Sequence, residues 1–430
     1  MRIALMTNNY KPFMGGVPIS IERLADGLRS LGHSVTVFAP AYRNQQEETD
    51  VIRYATLTQH FIGGIVLPNP FDLRIEREFR KQHFDVIHVH HPMLIGRTAV
   101  YLSKKYNIPL VFTYHTRYEQ YLSYVGVIAA MERCAAQENG TVADISEDCL
   151  YLIKDRIMPL YLHTFLKHCD FVLAPTEGIK DYLKQVCEIS EARLGVLPTG
   201  LQRDQFMASA QKKYDLRKKY GAENKALFLT VARMSHEKNI NFLLKSLAKL
   251  KQRCQKDFAV LFVGDGPDRE EYEHLSRQLG LENHVIFTGT VPNSEIGVYF
   301  GAADAFLFAS KTETQGIVVL EAFAGETPVL AVEASGVSDL VQSGYNGILT
   351  PEDEDVYSDV LTGFLEGKYD RLALSQNAFE TALEYREEAV AMQAVNYYNT
   401  IKQKMCAKNR NLQFRQNERK NGKQVSHFGG

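Results

Sequence analysis

Short apolar runs alternate with amphipathic stretches along most of this chain. RIALMTN, HSVTVFAP, DVIHVHH, PLVFTYH and DFVLAPT fall in the first half; KALFLTVAR, FAVLFVGDG, HVIFTGT, AFLFAS and PVLAVEA fall in the second. Each is of strand length and nearly continuous in apolar character, which predicts strands covered on both faces, as in a parallel sheet. Segments such as PISIERLADGLRSLG, NFLLKSLAKLKQR and DREEYEHLSRQLG lie between them, with apolar residues at helical spacing, and the first stops at Gly32. Strand–helix alternation run through twice predicts two doubly wound α/β domains facing each other across a cleft. A boundary is expected near VLPTGLQRDQF (196–206), where a strand gives way to turn residues, and one or two terminal helices over 376–405.

Composition narrows the class without choosing a function. The chain has 430 residues, 45% hydrophobic and 23% charged, which suits a soluble two-domain protein. No apolar run reaches the length of a membrane-spanning helix, and MRIALMTNNY reads as a first strand, not a leader. These features point to a cytoplasmic location. The six cysteines are scattered with no C-x-x-C pair, so free thiols are expected, not disulfides or zinc ligands. The net charge of −2 hides an asymmetry: about neutral over 1–198, roughly −9 over 199–400, and about +7 from Lys402 onward. That last segment is poor in apolar residues and is expected to be a disordered tail, either merely solvated or in contact with an anionic surface.

Ligands of open α/β sheets bind beyond the carboxyl ends of the strands, so the strand exits hold the candidate chemistry. The first strand leads into Gly15 and Gly16 before a helix, where backbone N–H groups can approach an anion or simply form a turn. KALFLTVAR leads into Arg233 and Lys238, five apart across a turn, with Ser235 or Asn239 as cap. They are two surface cations or a diphosphate grip, with Arg bidentate and Lys a point charge. AFLFAS leads into KTETQGIVVLEA, where Gly316, Ile317 and Val318 open a helix and Glu313 and Glu321 bracket it. The two acids are either structural or aimed at hydroxyls, Glu313 at those of a sugar and Glu321 at a vicinal pair. His88, His90 and His91 share one strand and His115 ends another. Consecutive strand residues face opposite ways, so a metal site is not expected, and His115 is the better functional candidate. FVGDGP has the wrong spacing for a phosphate loop and reads as a turn with Asp265 or Asp268 starting a helix.

Arg233, Lys238 and the pair Glu313 and Glu321, in that order after two rounds of strand–helix alternation, resemble the retaining glycosyltransferases of family 4. The resemblance spans about residues 1–400 and is strongest over 226–350. It implies the GT-B arrangement of two Rossmann-like domains, over 1–198 and 199–385. A C-terminal helix over 386–405 would cross back to the first domain, and a basic tail would occupy 406–430. By the same resemblance Arg233 and Lys238 hold the diphosphate and Glu321 binds the ribose. Glu313 and His115 meet the transferred sugar, Gly15, Gly16 and the Gly316–Val318 amides approach the donor, and Val291 lines the base pocket. No cofactor or metal is implied beyond the nucleotide sugar itself.

YHTRYEQYLSYV and PTEGIKDYL resemble the bacterial 1,2-diacylglycerol 3-alpha-glucosyltransferases within that family. The expected reaction is transfer of a hexose, glucose first, from a UDP-sugar to diacylglycerol with retention. Tyr114, Arg117 and Tyr118 would be on the acceptor side. Two amphipathic basic stretches, FDLRIEREFRKQHF (71–84) and LYLIKDRIMPLYLHTFLKH (150–168), and the tail would meet an anionic membrane surface. That makes the protein peripheral at the inner face of the cell membrane, with no nucleic acid partner. Competing readings are a soluble, polysaccharide or lipid-linked acceptor, a nucleotide-sugar epimerase or phosphorylase of the same fold, and a non-catalytic, membrane-associated nucleotide-sugar-binding protein.

Overall fold

The structure is a computed structural model that describes all residues except 14, 63–64, 119–148, 203–207, 312 and 426–430. It divides into two compact units. The first comprises Met1–Ala174, Lys180–Leu197 and the chain from Ala391 on; the second comprises Pro175–Ile179 and Pro198–Val390.

Strands β1 (Arg2–Met6), β2 (Ser34–Pro40), β3 (Val51–Tyr54), β6 (Val86–Val89), β7 (Leu110–Thr113), β8 (Phe171–Ala174) and β9 (Leu194–Val196) form a seven-stranded sheet in the first unit, in the order β3-β2-β1-β6-β7-β8-β9. All pairings are parallel. β4 (Thr56–Ile62) and β5 (Ile65–Pro68) form a separate antiparallel hairpin. The second unit holds a six-stranded parallel sheet, β12-β11-β10-β13-β14-β15, built from β10 (Ala226–Val231), β11 (Phe258–Val263), β12 (Val285–Gly289), β13 (Ala305–Phe308), β14 (Val329–Val332) and β15 (Gly347–Thr350). Alternate residues of its strands enter different cores. Phe228 and Val260 join the cluster under helices Ile240–Arg253 and Glu354–Glu366, whereas Leu227, Leu229 and Leu261 join the one under Asn293–Ala302 and Ile317–Ala324. Burial on both faces is why these strands read as unbroken apolar runs.

The final helix runs Glu387–Val425. Within the first unit its Tyr397 ring packs on Phe171, and the Tyr397 hydroxyl and the Gln393 amide both donate to the Val196 carbonyl, at 3.1 and 3.0 Å. Gly195 makes this possible, since a Cβ there would lie 2.7 Å from the Tyr397 ring. The segment expected as a tail from 406 continues this helix to Val425. Lys, Arg, Gln and Glu are good helix formers, and the tail has no proline.

Two expectations about amphipathic segments change as well. Ile75 and Phe79 are buried in the first unit, Phe79 against Phe38, Phe84 and Tyr106. Ile75 and Phe79 therefore form a core stripe, whereas Phe71 (86% exposed) and Leu73 (84%) point outward. The second segment folds as a π-helical stretch Leu152–Ile157 running into helix Met158–Leu166. The wider turn accommodates the missing N–H of Pro159. Its Leu162, Phe165 and Leu166 are buried, whereas Tyr151, Leu152, Ile157 and Leu160 point to solvent.

Candidate functional site

Two strand exits of the second unit are stitched together. β10 leads into a short 3-10 turn, His236–Lys238, and Asn239 in the left-handed region opens helix Ile240–Arg253. β13 leads into the loop before helix Ile317–Ala324, opened by Gly316 with φ of 71°. The Lys311 N–H donates to the Glu237 carbonyl at 3.2 Å, and Lys238 Nζ meets Glu313 Oε1 at 2.6 Å, both side chains mostly buried. The Ser235 hydroxyl donates to the Glu237 carboxylate at 2.6 Å. Arg233 is exposed, and its guanidinium makes no ion pair or hydrogen bond among the described residues. A charge-assisted pair at this distance fixes the ammonium and the carboxylate together, beside a free guanidinium.

Glu321 lies inside helix Ile317–Ala324 and is 9% exposed. Ile317 and Val318 begin that helix and are partly buried, and Val291 is partly buried against the same core. Arg233, Lys238 and Glu313 are thus brought onto two joined loops, with Gly316 on the second of them.

Sequence reasoning missed the residues that bring these loops together. FVGDGP is more than a turn. A Cβ on Gly264, whose φ is 130°, would lie 2.0 Å from the Ala232 carbonyl, and one on Gly266 would lie 2.2 Å from the Met234 carbonyl. The Met234 N–H donates to Asp265 and the Asp268 N–H donates to Met234, so two glycines cradle the loop that carries Arg233. Gly336 does the same for Glu313, with a Cβ that would fall 2.7 Å from its carbonyl. Gln315 is buried; its side-chain carbonyl accepts the Thr199 N–H at 2.9 Å, and its Nε2 has no partner among the described residues. The glycine spacing signalled a tight turn, but only the fold shows what lies against it.

The first unit holds the histidines. His88 is fully buried, with Nδ1 2.7 Å from the Tyr398 hydroxyl and Nε2 2.6 Å from the Thr113 hydroxyl. His91 Nδ1 accepts the Asn8 N–H at 3.2 Å. His90 Nδ1 and His115 Nε2 are 2.8 Å apart, their rings near parallel. Burial lowers His88 and His115 to about 3 and His91 to about 4, and holds His90 well below the ordinary histidine range, so all four are neutral at physiological pH. No group of three or more metal-binding side chains forms among the described residues. Gly15 precedes helix Gly16–Ser30, and a Cβ on it would sit 3.1 Å from the Phe13 ring.

The expected acceptor residues separate. Tyr114 is fully buried against Phe112, Tyr118 and Tyr182. Arg117 lies over the Tyr182 ring at 4.9 Å and is partly exposed. Burial raises the Tyr118 phenol. The rest of YHTRYEQYLSYV, from residue 119, lies outside the described residues, as do Cys134 and residues 203–206 of the boundary segment.

Comparison with known proteins follows the same division. Residues 14–205 match the family model described as Glycosyltransferase Family 4, and residues 212–381 match the one described as Glycosyl transferases group 1. An alpha-monoglucosyldiacylglycerol synthase from Acholeplasma laidlawii is 28% identical over 93% of this chain and 96% of its own length. One from Streptococcus pneumoniae is 28% identical over 89% of this chain and 83% of its own. Among solved structures, Anabaena HepE in complex with UDP superposes with a TM-score of 0.69 at 19% identity, covering 93% of this chain and all of that one. The sucrose-phosphate synthase of Thermosynechococcus elongatus gives 0.70 at 20%, over 93% and 98%. Both structures share the two-sheet α/β architecture expected from the strand–helix alternation.

Proposed function

The chain belongs to the family 4 glycosyltransferases of GT-B fold, and from that premise we propose that it moves glucose from UDP-glucose to the free hydroxyl of diacylglycerol, with retention of the anomeric configuration. The observation that carries the donor half is the Lys238–Glu313 contact at 2.6 Å, beside an Arg233 whose guanidinium is free among the described residues. Arg233 and Lys238 take the diphosphate, and their positive charge is in place before the glycosyl–phosphate bond breaks and leaves charge on the departing oxygen. The N–H groups at Gly316, Ile317 and Val318 add a helix start to the same anion, and Gly15 and Gly16 approach it with bare backbone. Glu313 orients the sugar hydroxyls, His115 contacts the same sugar, Glu321 holds the ribose and Val291 lines the base. The diacylglycerol oxygen bonds to the anomeric carbon as the phosphate leaves, and its proton passes to a phosphate oxygen.

The lipid acceptor is supported by the two diacylglycerol-named relatives and by the exposed Phe71, Leu73, Tyr151, Leu152, Ile157 and Leu160 of the first unit. Apolar side chains with basic neighbours suit an anionic bilayer surface, and no described helix is long and apolar enough to cross one. We therefore place the protein at the inner face of the cell membrane as a peripheral enzyme. Incubation with radiolabelled UDP-glucose and vesicles of phosphatidylglycerol containing diacylglycerol should move label into the lipid phase as an α-glucoside. Label that stays in water with every UDP-hexose, or that moves only to a soluble acceptor, refutes the reading.

A further inference from the structure

His90 directly follows β6 and is 1% exposed. Its backbone N–H donates to the Met6 carbonyl at 2.9 Å, and its ring lies against that of His88, centroids 4.4 Å apart. His88 is itself held on both nitrogens, so the His90 ring has a fixed wall. One nitrogen of His90, Nδ1, faces His115 Nε2 at 2.8 Å; the other, Nε2, is buried with no partner among the described residues.

Two neutral rings share one proton across that contact, and it can sit on either side. If His115 Nε2 carried it, His90 would hold its own hydrogen on Nε2, a buried N–H with nothing to accept it. If His90 Nδ1 carries it, Nε2 is only a bare lone pair. Orphaned buried N–H groups are the rarer and costlier case. The hydrogen therefore belongs on His90 Nδ1, and His115, accepting at Nε2, keeps its own on Nδ1. We infer that His90 is a positioning residue: its Nδ1–H holds His115 in the Nδ1-protonated form, aimed as a hydrogen-bond donor at a hydroxyl of the transferred sugar. This rests on the reading of His115 as a sugar contact. An unconstrained imidazole prefers the opposite, Nε2-protonated form, so the pairing imposes a form that solution would not supply.

The test uses the full-length chain labelled with 15N-histidine, His115 being assigned through His115→Ala, and turnover of UDP-glucose with diacylglycerol vesicles. Long-range proton–nitrogen correlations should show His115 protonated on Nδ1. His90→Leu fills the same space with apolar atoms and removes the orphaned nitrogen, so it should fold, checked by circular dichroism. It should turn His115 to the Nε2–H form and lower kcat as far as His115→Ala does, about a hundredfold for loss of one aimed donor. His90→Asn, whose amide reaches where Nδ1 was, should restore both the Nδ1–H signal and most of the turnover. An Nε2–H signal in the unmodified chain overturns the inference. So does His90→Leu turning over normally while His115→Ala does not, which leaves the sugar contact of His115 standing. Normal turnover of His115→Ala overturns that contact itself, whatever the signal shows.

Discussion

The buried histidine beneath the last helix makes the first unit sensitive to acid, by an amount that follows from its surroundings. His88 is fully buried between the Thr113 and Tyr398 hydroxyls, and burial lowers its pKa from 6.5 to about 3. The native state thus holds a neutral ring, whereas the unfolded chain takes up a proton below pH 6.5. Stability from this group is fully present above about 6.5 and drains as the pH falls toward 3, because the unfolded state binds the extra proton. At about pH 5 the unfolded imidazole is roughly 30-fold more protonated than not while the native one is still neutral, a loss of about 2 kcal/mol relative to about pH 7.5. The loss depends on the unfolded pKa and hardly on how far the native one is depressed. His88→Gln keeps a group able to bond both hydroxyls but does not titrate. Urea unfolding followed by circular dichroism at the two pH values should show the unmodified chain losing about 2 kcal/mol more than His88→Gln on acidification, a midpoint difference of about 1 M. Equal losses in the two proteins would refute the burial argument.

Three other outcomes follow from the same structure. Lys238→Ala and Arg233→Ala should each lower kcat by about two orders of magnitude or more with unchanged melting curves, measured by product formation from UDP-glucose. Gly264→Ala places a Cβ 2.0 Å from the Ala232 carbonyl at a φ of 130°, so it should cost more than the ~1 kcal/mol of an ordinary glycine replacement and lower the unfolding midpoint of the second unit. Leu160→Asp, on a residue 66% exposed, should leave stability within about 0.5 kcal/mol yet weaken flotation with phosphatidylglycerol vesicles. Unchanged flotation counts against that face as a membrane contact.

The sheets were legible because their strands are buried on both faces and therefore continuous in apolar character. The ten runs named from sequence all appear as strands. β3, β15 and the β4–β5 hairpin did not announce themselves, and of β9, only three residues long, the sequence marked no more than its end near 196; the VIRY of β3 is half-exposed at the sheet edge. The row of Phe71, Ile75 and Phe79 was ambiguous for a different reason. A core-facing stripe and a membrane-facing stripe have the same period, and only packing of Phe79 on Phe38 and Phe84 separates them. Lys238 and Glu313 could be named from sequence, but their contact could not, because it joins residues 75 positions apart. His90 illustrates the limit most clearly. Its place just past β6 was readable, yet its neighbour His115 lies just past the end of the next strand of the sheet, and pairing of neighbouring strands leaves no mark in either sequence.

The Lys238–Glu313 pair also explains why the two cations of the donor loop differ in kind. An ammonium carries three N–H donors that diverge, so Lys238 can hold Glu313 along one direction and meet a phosphate oxygen along another. A guanidinium is flat, and a bidentate grip on one anion uses its fork in a single plane. Arg233, exposed and with no partner among the described residues, suits that bidentate task; Lys238, already committed to a carboxylate, suits the divergent one. With the roles proposed above, the pair would couple the phosphate end of the donor to the acid that orients its sugar, so that one ammonium places both. Lys238→Arg preserves the charge but not the geometry. If coupling is what matters, it should lose most of the activity that Lys238→Ala loses, with a large fall in kcat and a smaller change in KM. If charge alone matters, Lys238→Arg should be nearly as active as the unmodified enzyme, and the coupling argument fails.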